Sequence, residues 1–345
     1  MPSNVMMHAN NFFWQGGVPM FIYDMIETFP EFHHVVVYMH DEARFGGENF
    51  QMMLDWMNAT GCEIAKVDLI TPELLEEVDP AVVCLNSIAG DKLSGGPDYN
   101  WLRDWPVIFF HHNKTRPILP AGLDVFVSDY LKSMWGRSVR QMQRVINCPP
   151  VIDVTPYLEV KRQLGTTNCV VGKLCSAWNP KKYPMAMYDV MREVGEKRQS
   201  VSFKVVGGAR HHRVQDLKVP RLEFIKEMSM HPRDMLKQMD IMLYTNDPTW
   251  TETWCRAVTE AMVSGIPCIV ENRGGPIEQI EHGVDGFICD THEEYVECTL
   301  KLIDDPQLRY DMGMRAREKA AKHFGKDRLR RELTPYLMQA LIGTL

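Results

Sequence analysis

Short apolar runs alternate with amphipathic stretches through the first half of the chain. Residues 18–28 carry apolar side chains at Phe21, Ile22 and Met25, a spacing that predicts a helix. Runs rich in Val, Ile and Phe are typical of buried strands. They occupy residues 5–9, 34–39, 63–67, 81–85, 107–110 and 125–127. The alternation of strand and helix predicts an α/β domain built around a parallel sheet.

The same alternation returns in the second half of the chain, after a proline-rich passage at residues 148–156. We place a linker at about residues 155–166, because composition shifts of this kind accompany domain boundaries. The chain is therefore predicted to form a first domain of residues 1–160, a second of residues 161–325 and a final helical segment of residues 326–345. A length of 345 residues suits two domains of ordinary size.

Residues 244–280 predict a strand, a loop, a helix, a second strand and a glycine turn. Glu252 lies in the loop and Glu260 lies two turns along the helix, with seven residues between them. Thr251 or Thr253 is predicted to cap this helix, which ends at Gly265. A carboxylate accepts hydrogen bonds from two hydroxyls, which suits the cis-diol of a ribose. The alternative is that both glutamates are ordinary surface charges.

A tight turn follows the second strand of this stretch, at Arg273-Gly274-Gly275-Pro276. Glycines allow a backbone to approach a ligand closely. Open parallel sheets bind ligands at the carboxyl ends of their strands, often beside a helix N-terminus. The sequence therefore predicts a binding site where this turn meets the start of the preceding helix.

The order of these elements resembles the carboxyl-terminal domain of the family-4 retaining glycosyltransferases. The resemblance rests on the paired glutamates, on AMVSGIPCIVENRGGPIEQI and on HGVDGFICD. It implies the GT-B fold, with two Rossmann-like parallel-sheet domains facing a cleft and a last helix that crosses back to the first domain. It also implies transfer of a sugar from a UDP- or GDP-sugar to an acceptor hydroxyl.

The resemblance assigns roles in binding the donor. Glu252 would contact the donor sugar and Glu260 the nucleotide ribose, while the backbone amides of Gly274 and Gly275 would face the sugar or phosphate. The small residues that the family often has after the first glutamate are replaced here, which puts the donor sugar in question. The replacements, which would form the helix start beside the diphosphate, are Thr253, Trp254 and Cys255. Trp254 is expected to narrow the sugar pocket or to stack on the sugar ring.

Two lysine positions would neutralise the diphosphate by the same resemblance. Lys173 fills the first, and both Lys181 and Lys182 qualify for the second, after a gap about three residues longer than in the family. The glycine loop with Gly16 and Gly17 would face the phosphates and the acceptor. Solubility is the alternative for the lysine pair, and a plain turn is the alternative for the glycines.

Further site residues follow from position in the family. Gly207 and Phe224 would lie beside the nucleotide, although Phe224 suits a core equally well. A histidine near the donor sugar falls on His111, with His112 as the alternate. A metal pair formed by these two histidines is disfavoured because no acidic or cysteine partner lies at ligand spacing, and a plain loop histidine remains the alternative.

No Asp-x-Asp triplet occurs in the sequence, so we predict no metal and no cofactor. Catalysis would be assigned to Glu252, His111 and Lys173, with lysines, backbone amides and a helix dipole meeting the charge of the leaving diphosphate. The resemblance implies retention of anomeric configuration. A GT-B nucleotide-sugar 2-epimerase and a non-catalytic glycosyltransferase-like subunit are the alternative functions.

Composition adds constraints on location and partners. Residues 1–163 hold 12 Lys and Arg against 20 Asp and Glu, and the remaining residues hold 26 against 25, giving the net charge of −7. The sequence has nine cysteines, no C-x-x-C pair and no membrane-length apolar run, so a cytosolic protein with reduced thiols is expected. One group of basic residues could dock on a membrane surface or on a polyanionic acceptor, and the alternative is that it forms an ordinary solvated face. The group consists of Lys132, Arg137, Arg140 and Arg144.

Overall fold

The structure is a computed structural model. It describes residues 3–10, 16–39, 48–86, 100–113, 121–135, 142, 144–175, 179–227 and 229–345, with the backbone alone at residues 48, 49 and 100. The chain divides into two compact units, Met1–Val151 with Lys326–Leu345, and Ile152–Gly325. The division lies nine residues before the boundary predicted at residue 160.

The first unit contains a seven-stranded sheet in which every pair of neighbouring strands is parallel. Its order is β3-β2-β1-β4-β5-β6-β7, so the direction of winding reverses between β1 and β4. The strands are β1 Val5–Asn10, β2 His33–Tyr38, β3 Glu63–Lys66, β4 Val82–Asn86, β5 Val107–His111, β6 Leu123–Phe126 and β7 Val145–Asn147. The parallel sheet predicted from the apolar runs is confirmed.

Helices cover both faces of this sheet. They are α1 Gly17–Thr28, α2 Glu48–Ala59, α3 Pro72–Val78 and α4 Asp129–Ser133. Successive side chains of a strand point to opposite faces of the sheet and pack into different cores. Met6 packs with Phe21 of α1 on one face, and Met7 packs with Leu75 of α3 on the other. The inner strands β1, β2, β4, β5 and β6 read as continuous apolar runs because both of their faces are covered.

A pair of buried histidines joins β1 to β2 inside this core. Nε2 of His8 lies 3.0 Å from Nδ1 of His34, and the rings are stacked at 5.3 Å. His34 Nε2 donates to the backbone carbonyl of Phe29 at 2.8 Å. Burial lowers the pKa of both histidines below their ordinary value. Burial also lowers the pKa of His112, just beyond β5, to about 3.

These three histidines predict that the first unit loses stability as the pH falls from 7 to 5. Above a pKa of about 6.5 both the folded and unfolded states are neutral, but below it the unfolded chain takes up protons that the folded unit refuses. His112 then contributes a loss of about 1.4 kcal/mol per pH unit, and His8 and His34 contribute in the same direction. Hydrogen exchange of the peptides spanning residues 5–10 and 33–38, followed at pH 5, 6 and 7, measures this slope.

A matched pair of variants assigns the effect. His112→Asn should flatten the slope, because one buried proton acceptor is removed. His323→Asn should leave it unchanged, since His323 is exposed and lies in the second unit. An equal change of slope in both variants would contradict burial as the cause.

The second unit contains a six-stranded parallel sheet in the order β10-β9-β8-β11-β12-β13. Winding reverses between β8 and β11, which are hydrogen-bonded neighbours. The strands are β8 Cys169–Lys173, β9 Val201–Val206, β10 Leu222–Ile225, β11 Ile241–Tyr244, β12 Cys268–Glu271 and β13 Gly286–Cys289. Each corresponds to an apolar run of the sequence.

The helices of the second unit lie on both faces of its sheet. They are α5 Thr155–Leu158, α6 Met185–Lys197, α7 Val214–Leu217, α8 Pro232–Leu236, α9 Arg256–Val263, α10 Pro276–Gln279, α11 His292–Asp304 and α12 Pro306–His323. Leu243 points into the core formed with α6 and α11, and Tyr244 points into the core formed with α9 and α12. Adjacent residues of β11 therefore serve opposite faces.

The final helix, α13 Lys326–Leu341, belongs to the first unit. Leu329, Leu333 and Leu337 lie on one side of α13 at helical spacing and pack with Phe21 and Met25 of α1. Among the described helices, none is both long and apolar enough to cross a membrane.

Candidate functional site

The reversal point of the second sheet gathers polar side chains at one edge. β8 ends at Lys173, β11 ends at Tyr244 and β12 ends at Glu271, and all three strands run in the same direction. Loops that leave two neighbouring parallel strands in opposite directions open a crevice at their carboxyl ends. The loop after β11 carries Glu252 into this region.

Glu252 is held by two donors from different parts of the chain. Its Oε1 accepts the hydroxyl hydrogen of Tyr244 at 3.0 Å and pairs with Nζ of Lys182 at 2.7 Å. The residue is 8% exposed. Within the described part of the chain, no donor is bonded to Oε2. The carboxylate is thus anchored through one oxygen, and the other is available to a ligand.

Lys182, rather than Lys181, contacts the carboxylate of Glu252. Burial disfavours the charge on Lys182, but the neighbouring Glu252 carboxylate outweighs burial and raises the pKa of Lys182 above its ordinary value. Its ammonium also lies 5.6 Å from the ring centroid of Trp250. Lys181 is exposed, and its backbone carbonyl accepts the amide of Asp247 at 2.7 Å. The geometry therefore favours Lys182 over Lys181 as the site lysine, and its contact with a diphosphate stays a prediction.

Lys173 lies in the interior beneath this site. It is fully buried, its Nζ donates to the backbone carbonyl of Thr245 at 2.5 Å, and it lies 4.4 Å from the ring centroid of Tyr244. Burial lowers the pKa of Lys173 to about 8. A side chain without solvent exposure does not meet a ligand in this conformation. The structure thus separates Lys173 from the role in diphosphate binding that the resemblance implied.

Helix α9 begins differently from the prediction. Its N-cap is Cys255, so the expectation that Thr251 or Thr253 caps it is wrong. Gln279 contacts the backbone of this cap residue: its Oε1 accepts from the Cys255 amide at 3.3 Å, and its Nε2 donates to the Cys255 carbonyl at 2.9 Å. Burial raises the pKa of the Cys255 thiol to about 12, so the thiol is protonated at neutral pH. Sequence reasoning missed Gln279, whose only signal is an uncharged polar residue in an apolar stretch.

Glu260 lies on the first turns of α9 and is buried. Its Oε1 accepts from Nε of Arg256 at 3.0 Å, one turn earlier on the same helix. Arg256 therefore places a positive charge at the start of the helix, next to the carboxylate expected to hold a ribose. Arg256 was not among the site residues expected from the sequence.

The glycine turn packs against the backbone of the loop that carries Glu252. The Gly275 amide donates to the Glu252 carbonyl at 2.9 Å, so this amide bonds within the protein. Gly274 has φ of +73°, and a Cβ there would lie 2.4 Å from the Glu252 carbonyl oxygen. A Cβ on Gly275 would lie 2.0 Å from the carbonyl oxygen of Thr253. Close approach of two protein segments accounts for both glycines.

This packing predicts that Gly275→Ala destabilises the second unit by about 1–3 kcal/mol, because the obstructing atoms are backbone atoms. Gly17→Ala is the matched control, since a Cβ on Gly17 would have nothing within 4 Å. Thermal unfolding of both variants tests the difference. Equal midpoints for the two variants would contradict the contact.

The Trp254 side chain packs against the protein core, whereas it was expected to narrow the sugar pocket or to stack on the sugar ring. The half-buried Trp254 ring packs edge-on against Phe324 at 5.2 Å and lies beside the core of α9 and α12. Stacking on a sugar is therefore not the contact that this structure gives it. The aromatic ring next to the site lysine belongs to Trp250, which sequence reasoning did not single out. Thr253 precedes Trp254 and is half-buried.

A second buried ion pair fixes the loop after β11. Glu271 accepts from Nδ2 of Asn246 at 2.9 Å and from the Asn246 amide at 3.1 Å. Arg273 donates to Glu271 and to the backbone carbonyls of Asn246 and Asp247, at 2.6, 2.7 and 3.0 Å. These contacts hold the start of the loop that leads to Glu252. Neither Glu271 nor Arg273 was assigned such a role from sequence.

The residues predicted to lie beside the nucleotide belong to the outer strands β9 and β10 of this sheet: Gly207 follows β9, and Phe224 lies in β10. Gly207 has φ of +80°, and a Cβ there would lie 2.3 Å from the hydroxyl oxygen of Tyr183. Phe224 is half-buried on the edge strand β10 and packs against Gly208. It also borders an open groove of about 640 Å³ with His212 and Arg213. These positions remain predictions as regards nucleotide contact.

The two adjacent histidines of the first unit point to opposite faces of its sheet. His111 is fully buried, with Nε2 2.7 Å from Oδ1 of Asp124 and its ring stacked on Phe126 at 4.2 Å. His112 lies beyond the end of β5, and its Nε2 is 3.1 Å from Oδ1 of Asn86. His111 is enclosed in the core, so the alternate, His112, which is 8% exposed, is the better placed of the two for the expected site role, and that role stays a prediction.

Helix α1 begins at Gly17 with Gly16 as its N-cap. A Cβ on Gly17 would meet open space, so packing does not explain the choice of glycine there. The helix has no acidic residue in its first turn. These features suit the phosphate-facing role that the resemblance implies, which stays a prediction.

The basic group proposed for docking is only partly described. Lys132 is half-buried on α4, and Arg144 contacts Gln339 and, at 3.4 Å, the Thr344 carbonyl. Arg137 and Arg140 lie outside the described residues. Over the part of the chain that the structure covers, no cluster of three potential metal ligands occurs.

Comparison with known proteins bears on the second unit. Residues 175–319 match the family model described as glycosyl transferases group 1. This part of the chain is thus similar to group 1 glycosyl transferases, and we call residues 175–319 the group 1 domain after that match. The group 1 domain contains Lys182, Glu252, Glu260 and the glycine turn. The resemblance to glycosyltransferases found from the sequence is thereby confirmed, and membership of family 4 stays a prediction.

Curated relatives match this chain over short segments. An N-acetyl-alpha-D-glucosaminyl L-malate synthase of Bacillus anthracis is 31% identical over 98 residues, which cover 28% of this chain and 25% of that protein. The human alpha-1,3/1,6-mannosyltransferase ALG2 is 33% identical over 84 residues, covering 24% of this chain and 20% of that protein. The matches thus span about a quarter of the length of these relatives.

Solved structures resemble the chain over nearly its whole length. A complex of Anabaena Alr3699/HepE with UDP-glucose aligns with a TM-score of 0.76 at 16% identity, covering 97% of this chain and 99% of that one. A glycosyltransferase from Rickettsia africae aligns with a TM-score of 0.78 at 13% identity, covering all of both chains. Together with the two parallel sheets, this likeness confirms the predicted GT-B fold class.

Proposed function

We propose that the protein is a glycosyltransferase that takes a sugar from a nucleoside diphosphate sugar. The observation that carries the proposal is the anchored carboxylate of Glu252, which lies with Lys182 at the reversal point of the second unit's sheet. A carboxylate with one free oxygen suits a sugar hydroxyl, and a neighbouring ammonium suits a diphosphate. Glu252 would therefore bind the sugar and Lys182 the diphosphate of a nucleotide sugar. The Lys182 Nζ and the Glu252 Oε1 lie 2.7 Å apart.

Relatives support the choice of donor. The Anabaena structure with the same fold contains UDP-glucose, and the ALG2 relative is a mannosyltransferase. We infer a UDP- or GDP-sugar donor for this chain. The acceptor would be a hydroxyl of a glycan, a lipid-linked sugar or a modified nucleobase.

The proposed reaction retains anomeric configuration and uses no metal. The bond from the sugar C1 to the diphosphate oxygen breaks, and the acceptor oxygen forms its bond to C1 on the same face. The acceptor proton passes to the leaving diphosphate. Lys182 and the N-terminus of α9 would stabilise the departing negative charge, and Arg256 lies at that helix start. Glu252 would hold a sugar hydroxyl, and Glu260 would hold the ribose.

Thermal unfolding with a panel of nucleotides and nucleotide sugars, in the presence of EDTA, tests this proposal. A ligand that binds only the folded state raises the unfolding midpoint. We expect one nucleotide sugar to raise it, and the same sugar to appear on an acceptor in a mass-spectrometric transfer assay. Binding followed by inversion of the sugar at C2 would favour the epimerase instead. Absence of any shift would favour a non-catalytic subunit.

A further inference from the structure

Tyr244 ends strand β11 and is 2% exposed, with its ring in the core formed with α9 and α12. Phenylalanine would fill the same apolar space. The hydroxyl is therefore the part of Tyr244 that the core does not require. That hydroxyl donates to Oε1 of Glu252 at 3.0 Å.

Lys173 supports this tyrosine from below. Its ammonium lies 4.4 Å from the centroid of the Tyr244 ring and donates to the carbonyl of the next residue, Thr245. A cation over an aromatic face is attracted to the ring and draws electron density from it. Both effects favour a fixed ring whose hydroxyl is a good hydrogen-bond donor.

Oε1 of Glu252 has two partners, Lys182 and Tyr244. A bound substrate would draw one of them away from the carboxylate but not the other. Lys182 lies nearer the surface, with its side chain 19% exposed, and under the proposed function it would turn towards a diphosphate. The Tyr244 hydroxyl is enclosed, away from a diphosphate, and its other polar neighbour is the thiol of Cys255. When the donor is bound, the tyrosine hydroxyl is then the contact that still fixes the carboxylate.

We propose that Tyr244, supported by Lys173, is a positioning residue that holds Oε1 of Glu252 so that Oε2 faces a hydroxyl of the donor sugar. This inference rests on the proposed function. Lys173 then supports the Tyr244 ring from the interior, a role that a completely buried side chain can have. It also predicts that recognition of the sugar and recognition of the nucleotide respond differently to the loss of one hydroxyl group.

The first test compares Tyr244→Phe with Tyr188→Phe, whose hydroxyl is likewise buried in the second unit. Calorimetric titration measures the affinity for UDP and GDP and for the nucleotide sugar identified above. Loss of a hydrogen bond to a charged group should weaken sugar-dependent binding or kcat by about 10- to 100-fold in Tyr244→Phe. Affinity for the free nucleotide should stay within about twofold. Tyr188→Phe should change neither quantity.

Lys173→Met should show the same division, because it removes the support under Tyr244 without touching a ligand. An equal loss of affinity for the free nucleotide and the nucleotide sugar in either variant would overturn the inference. Full retention of sugar-dependent binding and kcat in Tyr244→Phe would also overturn it.

A double-mutant cycle separates this inference from the proposed function. The thermal stabilities of Tyr244→Phe, Glu252→Gln and the double variant give the coupling between the two side chains without any ligand. Coupling is expected, and its absence would refute the positioning contact even if transfer is observed. Coupling in a protein that binds no nucleotide sugar would refute the proposed function, together with the catalytic purpose assigned to Tyr244.

Discussion

Replacing Glu252 with glutamine is expected to lower sugar transfer by about 100- to 1,000-fold while leaving the affinity for free nucleotide within about twofold. The amide lacks the negative charge that makes a hydrogen bond to a hydroxyl strong, and interactions of this kind at a reacting centre have effects of that size. Lys182 would also lose its partner at 2.7 Å. Steady-state kinetics gives kcat/KM for transfer, and calorimetry gives nucleotide affinity.

Glu260→Gln is the matched control for this variant. It removes a carboxylate from the same segment, but it should weaken binding of the free nucleotide as well as the nucleotide sugar. Both variants need unfolding midpoints near that of the wild type for the comparison to hold. A Glu252 variant that loses both ligands equally would contradict the division of roles between the two glutamates.

Replacing Lys182 with methionine should reduce kcat/KM for transfer by about 100-fold, whereas Lys181→Met should change it by less than about threefold. Lys182 carries a charge paired with Glu252, and its removal leaves a carboxylate that is 8% exposed without its ammonium partner. The side chain of Lys181 is exposed, and the contact that ties it to the loop after β11 is made by its backbone. The variants differ by one position in the same short segment.

Nucleotide release followed in a coupled assay gives the rates for this pair. The salt dependence of KM provides a second check, because loss of a cation that binds a diphosphate should make KM less sensitive to ionic strength. A larger loss in Lys181→Met than in Lys182→Met would contradict the assignment.

The strand and helix pattern was predictable because it depends on neighbours in sequence. The apolar runs before Lys173, Tyr244 and Glu271 are buried strands, and the helical spacing at Phe21 and Met25 is a helix face in the core. Gly265 follows the end of α9 with φ of +74°, as expected of a helix stop. The paired glutamates and the glycine turn were also recognisable, since their order along the chain identifies the group 1 domain.

The direction of individual side chains was not predictable from sequence in the same way. His111 and His112 are adjacent, and only their place in the sheet directs His111 to Asp124 and His112 to Asn86. Trp254 follows Glu252 closely, yet it packs on Phe324, seventy positions later.

The sequence by itself determined the two α/β units, the place of Glu252 and Glu260 and the kind of domain they lie in, because periodicity and motif order are local properties of the chain. The tertiary structure decided that Lys182 pairs with Glu252, that Tyr244 anchors the same oxygen and that Lys173 is buried beneath them. The contacts of Lys182 with Glu252 and of Lys173 with Tyr244 each join residues about seventy positions apart, and the contact of Tyr244 with Glu252 closes the loop between them. The reversal of winding between β8 and β11 brings their strand ends together, and no local pattern encodes such distances.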